Sequence, residues 1–207
     1  MICLFILQTH SIFPGLCANT ATNSQKMRPL RYNVAASLDG YIGPRDGTTD
    51  WIAQDPAIDF AALYAEFDTF IMGRKSYELV RHLGDENPLK VYGAADVFVV
   101  SKTLPQGENL DVTVLGDNFL EEIRRQKEKG GKDIWLFGGG ELLGACLDAG
   151  LVDTIETAII PTLLRGGVKM VSEAADGGSL LGQKLELESV RKLEASGILL
   201  CVYKVVA

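Results

Sequence analysis

Short apolar segments that alternate with amphipathic segments constrain the fold of this protein more than any other feature. The apolar runs at residues 69–72, 96–100 and 133–137 have the length of buried strands. Strands that alternate with helices form a mostly parallel twisted sheet with helices on both faces. Leu185–Lys192 and residues 198–205 follow each other without a helix, so we expect an antiparallel C-terminal edge. The sequence predicts a single-domain α/β fold.

The remaining elements follow from the same periodicity and from capping residues. Further strands are predicted over residues 31–38, 110–115 and 153–160, and helices over residues 57–67, 74–83, 117–129 and 141–149. Asp55 and Pro56 precede the first helix, and Asp117 is the predicted cap of the third. No linker or internal repeat interrupts the sequence after residue 27, so we expect one domain over residues 28–207.

The first 27 residues do not share this pattern. Their apolar run at residues 2–7 is too short to span a bilayer, and the absence of arginine before Arg28 argues against a mitochondrial presequence. We predict that residues 1–27 are an extension, either disordered or upstream of the true start. A secretory signal is the alternative, since Leu16, Cys17 and Ala18 offer small residues near a cleavage point.

Composition excludes several classes of partner. Lys and Arg number 20 against 27 Asp and Glu, which gives a net charge of −7 and a pI near 4.9. A protein that binds the phosphate backbone needs a basic face, so we expect no nucleic-acid partner and, without a long apolar run, no membrane partner. The four cysteines and two histidines lack ligand spacing, which predicts no metal site and a reducing, cytoplasmic setting.

A glycine-rich turn follows the predicted 133–137 strand and opens a helix. It comprises Gly138, Gly139, Gly140, Glu141 and Leu142. Consecutive glycines let backbone N–H groups and a helix N-terminus approach a phosphate, and a tight strand-to-helix turn is an equal alternative. The dinucleotide fingerprint is incomplete, because Leu143 stands where its last glycine would be.

Two more turns at strand ends carry cations and hydroxyls. One comprises Gly73, Arg74, Lys75 and Ser76, and the other comprises Ser101 and Lys102. Cations at a helix start oppose the helix dipole unless an anion binds there, although a solvated basic turn is the alternative. Ligands of open α/β sheets bind outside the carboxyl ends of the strands. Three such turns therefore predict one ligand with several phosphates.

Asp59 is the candidate acid. It lies at the start of the predicted 57–67 helix, near the side on which Ile58, Ala62 and Leu63 recur. We expect burial beside that face to raise the pKa of its carboxyl, which suits a proton donor. An ordinary first-turn acid that stabilises the helix dipole is the alternative.

These features together resemble the dihydrofolate reductase superfamily, and most closely its riboflavin-biosynthesis reductase branch. That branch includes the C-terminal domain of the bacterial bifunctional deaminase-reductase and fungal diaminohydroxyphosphoribosylamino-pyrimidine reductases. The resemblance is carried, in sequence order, by AASLDGYI (35–42), DW (50–51), MGRKSYE (72–78), VVSK (99–102), FGGGEL (137–142), AGLVD (149–153) and IP (160–161). It implies a dihydrofolate reductase-like fold and a reductase domain over residues 28–207.

The resemblance also implies that the cofactor is NADPH. Ala35 and Ile42 match positions whose backbone holds the nicotinamide carboxamide, and residues 43–51 match a mobile loop over the site. Residues 73–76 match the turn that binds the adenosine-side phosphates, with Arg74 or Lys75 on the 2′-phosphate. Ser101 and Lys102 match the second contact to that phosphate. The pyrophosphate turn corresponds to Gly138, Gly139, Gly140, Glu141 and Leu142.

The reaction that the resemblance implies is hydride transfer to a C=N carbon or to an acyclic C=O carbon. Asp59, with Thr157 as its hydroxyl partner and Trp51 in the covering loop, would supply the proton. The leading substrate is a ribosylamino-pyrimidine phosphate of riboflavin synthesis, with Arg165 as the nearest cation for its phosphate. A pterin or folate reductase is an alternative because residues 73–76 look more like the folate enzyme, and a non-catalytic NADPH-binding module is another. Analogy with this branch implies a homodimer.

Overall fold

The computed structural model describes residues 27–108, 111–172 and 182–206. The predicted extension over residues 1–27 therefore lies outside the described residues, apart from Met27. Within these ranges no helix is long and apolar enough to cross a membrane.

The described residues form a nine-stranded sheet and a separate two-stranded sheet. Across the large sheet the order is β10 (Leu185–Lys192), β11 (Leu199–Val205), β8 (Thr154–Ile160), β1 (Leu30–Ser37), β7 (Asp133–Gly138), β3 (Phe67–Gly73), β4 (Val97–Val100), β6 (Thr113–Leu115) and β5 (Gly107–Glu108). Strands from β8 to β6 pair in parallel, whereas β11, β10 and β5 pair antiparallel. The small sheet pairs β2 (Tyr41–Gly43) with β9 (Val168–Lys169). The predicted parallel sheet with an antiparallel C-terminal edge is confirmed.

Four α-helices occur in the described part of the protein: α1 (Phe60–Tyr64), α2 (Arg74–His82), α3 (Phe119–Glu128) and α4 (Gly140–Asp148). Two short 3₁₀ helices, Gly84–Glu86 and Pro88–Val91, follow α2. The prediction that Asp117 caps α3 is wrong. Asn118 occupies the cap position, and the Asp117 carboxylate lies 3.5 Å from Lys102 Nζ instead.

Helix α1 is much shorter than the predicted 57–67 helix, for two reasons. Asp55 accepts hydrogen bonds from Ala57 N (2.9 Å) and from the Ser196 hydroxyl (2.7 Å), which holds the preceding segment in a turn. At the other end Phe67 already belongs to β3 and is almost fully buried. Tertiary contacts thus override the helical periodicity at both ends.

The helices cover both faces of the sheet. On one face α3 and α4 contribute Ile123 and Leu143 to a core that also contains Tyr32, Val34 and Leu136. On the other face α1 and α2 contribute Leu63 and Val80 to a second core built on β3, β4 and β7. Because side chains alternate along a strand, successive residues of one strand belong to different cores.

Arg31 joins the amino ends of three neighbouring strands. Its NH2 donates to Glu156 Oε2 (2.9 Å), and its NH1 donates to Glu66 Oε2 (2.6 Å) and Asp133 Oδ2 (3.0 Å). Its guanidinium also lies 4.6 Å from the centre of the Phe67 ring. Burial opposes the charge, but the hydrogen bonds and charges of Glu156 and Glu66 outweigh it and raise the pKa of Arg31. This network ties β1 to β7 and β8.

Replacing Arg31 by methionine should destabilise the fold strongly. The substitution leaves the Glu156 carboxylate, which is only 3% exposed, without its cation, and such uncompensated burial costs about 3–5 kcal/mol. Urea unfolding measures this loss. Lys192→Met is the control, since it breaks an exposed pair with Glu194 (2.8 Å) and should cost less than about 1 kcal/mol. An equal and small loss of unfolding free energy in both variants would contradict a stabilising role of the Arg31 network.

Candidate functional site

A cavity of about 830 Å³ opens at the carboxyl ends of the parallel strands. The ends of β3, β4 and β7 meet there with the first turns of α2 and α4. The loop that follows β2 forms one side of the cavity through Gly43, Pro44, Gly47, Thr48 and Thr49. The volume suits a ligand larger than a single ring system.

Nearly all of the predicted cofactor residues line this one cavity. They are Ile42, Gly73, Arg74, Lys75, Ser76, Ser101, Lys102, Gly139, Gly140, Glu141 and Leu142. Two others lie beside it rather than on its wall. Gly138 accepts a hydrogen bond from the Ser76 hydroxyl through its carbonyl (3.2 Å), and Ala35 is buried in an apolar cluster on β1. The structure thus brings the three predicted turns together, while the role of each residue stays a prediction.

The turn between β3 and α2 presents uncapped backbone donors. Gly73 occupies the cap position of α2 and, having no side chain, accepts no hydrogen bond from the first N–H groups. Arg74 at the first helical position lies 3.5 Å from Glu78 and donates to the Thr103 hydroxyl (3.3 Å). These are exposed contacts of low energy, which a phosphate oxygen can replace.

The turn between β7 and α4 has a structural reason for its glycines. Gly138 has φ 101°, a left-handed value that favours glycine. A Cβ on Gly140 would lie 2.4 Å from the Lys169 carbonyl oxygen, so β9 approaches the start of α4 too closely for any side chain. The first turn of α4 also lines the cavity, through Gly140, Glu141 and Leu142.

Cations dominate the charged groups on the cavity wall. Among the described residues that line it, four are cations (Arg74, Lys75, Lys102 and Lys169) and one, Glu141, is a carboxylate. The protein as a whole carries a net charge of −7, so this is a local concentration of positive charge. Such a wall, with hydroxyls at Ser76 and Ser101, suits an anion with several phosphate groups.

Sequence reasoning missed Lys169 because no local signal marks it. Its place in the cavity depends on the pairing of β9 with β2, which brings Lys169 opposite Tyr41.

The loop before β9 is held by Asp39, which accepts from Leu164 N (3.1 Å) and Arg165 N (2.8 Å). The Ser37 hydroxyl and these N–H donors lower the pKa of Asp39. The Arg165 side chain itself is exposed.

The structure does not place Asp59 on a buried face. Its carboxylate is exposed and its Oδ1 accepts from Ala62 N (2.9 Å), which makes Asp59 the cap of α1. The expectation of burial is wrong because α1 begins only at Phe60. The alternative of an ordinary residue at a helix start describes this environment better.

Thr157 cannot be the hydroxyl partner of Asp59 in this arrangement. Thr157 lies opposite Val34, whose side chain belongs to the core under α3 and α4. Ile58, the neighbour of Asp59, packs instead with Ala158 in the apolar cluster on the opposite face. Strand alternation therefore separates the two side chains.

Trp51, at the end of the loop over residues 43–51, lies off the cavity wall. It packs against the apolar cluster that contains Ala35, Ala158 and Ile160. Its indole Nε1 is buried and has no hydrogen-bond partner among the described residues. Trp51 is thus placed to report on movement of the loop.

The described cysteines lie outside the site. Cys146 and Cys201 are free and buried, and burial raises the pKa of the Cys146 thiol to about 12. A thiolate at that position is therefore disfavoured at neutral pH.

The fold is α/β, with a cavity lined by several cations at the carboxyl edge of its sheet. The family model of the RibD C-terminal domain matches residues 28–199. The chain belongs to this family, as the resemblance implied.

Similar proteins agree with this assignment. Uncharacterized protein YyaP of Bacillus subtilis (strain 168) is 31% identical over 191 residues, which cover 88% of this chain and 97% of YyaP. A structure from Shewanella sp. PV-4, whose name refers to riboflavin biosynthesis, matches with a TM-score of 0.70 and 24% identity. The match covers 87% of this chain and 100% of the Shewanella chain. Enterococcus faecalis dihydrofolate reductase complexed with NADP(H) has TM-score 0.56 and 17% identity, with 88% and 98% covered. The fold is therefore dihydrofolate reductase-like.

Replacing Gly140 by alanine should destabilise the cavity wall. The added methyl would collide with the Lys169 carbonyl, and overpacking of this kind costs about 1–3 kcal/mol. Gly144→Ala on the same helix is the matched control, because its nearest Cβ contact is 3.7 Å and alanine favours a helix by up to about 1 kcal/mol. In urea, the Gly144→Ala variant should have the higher free energy of unfolding of the two. A higher value for Gly140→Ala would contradict the close packing of β9 against α4.

Proposed function

We propose that this protein is an NADPH-dependent reductase of the riboflavin-pathway type. Membership of the RibD C-terminal domain family supports an oxidoreductase. The observation that carries the cofactor assignment is the single cavity in which three strand-end turns and four cations converge. A dinucleotide with a 2′-phosphate is the ligand that such a wall fits best.

The residues on the wall divide between the two halves of the cofactor. Arg74, Lys75 and Lys102 would hold the 2′-phosphate, and the open start of α4 at Gly139 and Gly140 would hold the pyrophosphate. Ile42 and the backbone near Ala35 would orient the nicotinamide. When bound, NADPH supplies a hydride from its nicotinamide ring. The loop over residues 43–51 would exclude water from the transfer.

We propose Asp59 as the source of the proton, directly or through water. Asp55 bonds through both carboxylate oxygens, to Ala57 and to Ser196, and is not available. Asp59 engages only Oδ1 in its cap, which leaves Oδ2 for exchange with solvent or substrate. Trp51 would follow the closing of the loop beside it.

The substrate proposed first is the ribosylamino-pyrimidine phosphate of riboflavin synthesis, reduced to its ribitol form. The exposed Arg165, held at its backbone by Asp39, is a suitable cation for the distal phosphate. A pterin or folate-type substrate is the second candidate, supported by the fold shared with the Enterococcus faecalis enzyme. A third candidate function is a non-catalytic NADPH-binding module. It is favoured by the exposure of Asp59, which leaves the cavity without a buried acid from that residue. Consumption of NADPH with each substrate class separates the three.

Replacing Arg74 by alanine should weaken NADPH binding and spare NADH binding. A charge-assisted hydrogen bond to the 2′-phosphate contributes about 1.5–3 kcal/mol, so the dissociation constant for NADPH should rise about tenfold or more. Calorimetric titration with both nucleotides measures the difference. Arg125→Ala is the control, since Arg125 pairs with Glu121 and Glu122 on the exposed side of α3 and does not line the cavity in the described part of the chain. Parallel losses for both nucleotides would contradict the 2′-phosphate assignment.

Replacing Asp59 by asparagine should separate catalysis from structure. Asparagine caps a helix as well as aspartate, so the variant should be about as stable as the wild-type protein. Its dissociation constant for NADPH should stay within about twofold of the wild-type value. Turnover should fall by about 10²-fold or more, the usual contribution of general acid catalysis. Steady-state kinetics with the substrate class that supports NADPH consumption measures the effect. Unchanged turnover would move the proton donor to water or to another group.

A further inference from the structure

Asn33 has one side-chain atom to which the fold gives no partner. Its side chain is fully buried on β1, and its Nδ2 donates to Glu156 Oε2 at 2.8 Å. Its Oδ1 is buried and accepts no hydrogen bond from the described residues. The amide cannot be turned round, because Oδ1 would then face the Glu156 carboxylate. The structure therefore presents a buried acceptor in a fixed orientation, which is rare unless a ligand or water supplies the donor.

Glu156 holds this orientation and has no capacity left for a ligand. Its Oε1 accepts from Arg31 Nε and from the Thr154 hydroxyl (3.1 Å). Its Oε2 accepts from Arg31 NH2 (2.9 Å) and from Asn33. Glu156 and Arg31 are positioning residues for Asn33.

The surroundings of Asn33 are aromatic and adjoin the cofactor cavity. Trp135 on the neighbouring β7 donates through Nε1 to the Asn33 carbonyl (3.1 Å). The Trp135 ring lies 5.0 Å from that of Tyr64 and 4.5 Å from that of Phe137. Phe137 also lines the cavity. The Trp135 and Phe137 rings thus connect the Asn33 backbone to the cavity wall, and flat rings of this kind suit a planar ligand.

The end of the loop that lines one side of the cavity packs near this region. Ala35, the next residue of β1 on the Asn33 face, belongs to the apolar cluster against which Trp51 and Ile52 pack. Trp51 Nε1 is a second buried polar atom without a partner among the described residues. A donor and an acceptor thus remain unsatisfied on one face, under a segment that lies beside the cavity.

We propose that Asn33 Oδ1 determines specificity by accepting a hydrogen bond from an amino or ring N–H group of a planar nitrogen heterocycle. This heterocycle is the second reactant, so the inference rests on the proposed function. An oxo group at the same point would face Asn33 Oδ1 with a second acceptor oxygen. No hydrogen bond could then form, so a ligand with an oxo group there would bind less well. Both substrate classes proposed above carry amino groups, and the inference fixes where one of them is recognised.

The test compares two probes on the NADPH-bound protein by calorimetry. One probe is 2,4-diaminopteridine, and the other is unsubstituted pteridine, which has no N–H donor. The wild-type protein should prefer the diamino probe by about tenfold or more, the usual effect of one buried hydrogen bond. Asn33→Leu should reduce that preference to about twofold or less. Thr154→Val, which removes another donor to Glu156 and leaves Oδ1 in place, should keep the preference.

Each result decides one question. Failure of the wild-type protein to bind NADPH overturns the proposed function, independently of Asn33. NADPH binding without a preference for the diamino probe overturns the inference, as does a preference that survives in Asn33→Leu or is lost equally in Thr154→Val. If Asn33→Leu does not fold, a crystal structure of the wild-type ternary complex decides. A probe N–H within hydrogen-bond distance of Oδ1 supports the inference, and an ordered water there with the probe elsewhere overturns it.

Discussion

The parallel register around β1 is the constraint on which the rest of the structure depends. β1 pairs with β7 on one side and β8 on the other, and β3 and β4 continue the same direction with Gly73 opposite Val100. Because these strands run the same way, their following turns meet at one edge. Arg31 fixes the opposite edge through Glu156 and Asp133. A slip of one residue would turn Asn33 and Ala35 to the other face.

The cavity concentrates positive charge on a protein of negative net charge. Two of its cations have exposed ion pairs, Arg74 with Glu78 and Lys102 with Asp117, each at 3.5 Å. Such exposed pairs contribute little to folding, so an anion that displaces them gains an interaction at small cost. By contrast, Lys127 on the amino side of the sheet is buried, donates to the Leu151 carbonyl (2.7 Å) and pairs with Asp153, so the loss of these partners would leave a buried charge. The arrangement separates charges that stabilise the protein from charges that are available to a ligand.

Local patterns were sufficient to predict eight of the eleven strands in the described residues, most helices and the three turns that meet at the cavity. Strand and helix periods depend on neighbouring residues, and glycine beside a hydroxyl or a cation is visible in the sequence itself. The errors concern features that depend on distant contacts. Ser196 helps to decide where α1 begins, and the register of β8 decides which face Thr157 occupies. The bond between Asn33 and Glu156 joins two strands that no local signal connects. The homodimer and the cytoplasmic setting stay predictions.

The central claim is that the cationic cavity is an NADPH site. The most direct measurement is a calorimetric titration of the wild-type protein with NADPH and, separately, with NADH. We expect one NADPH per protein molecule, with an affinity about tenfold or more above that for NADH, because only NADPH engages the cations beside Gly73 and Ser101. Failure to bind either nucleotide would show that the three turns serve the fold alone, and the reductase assignment would then fall.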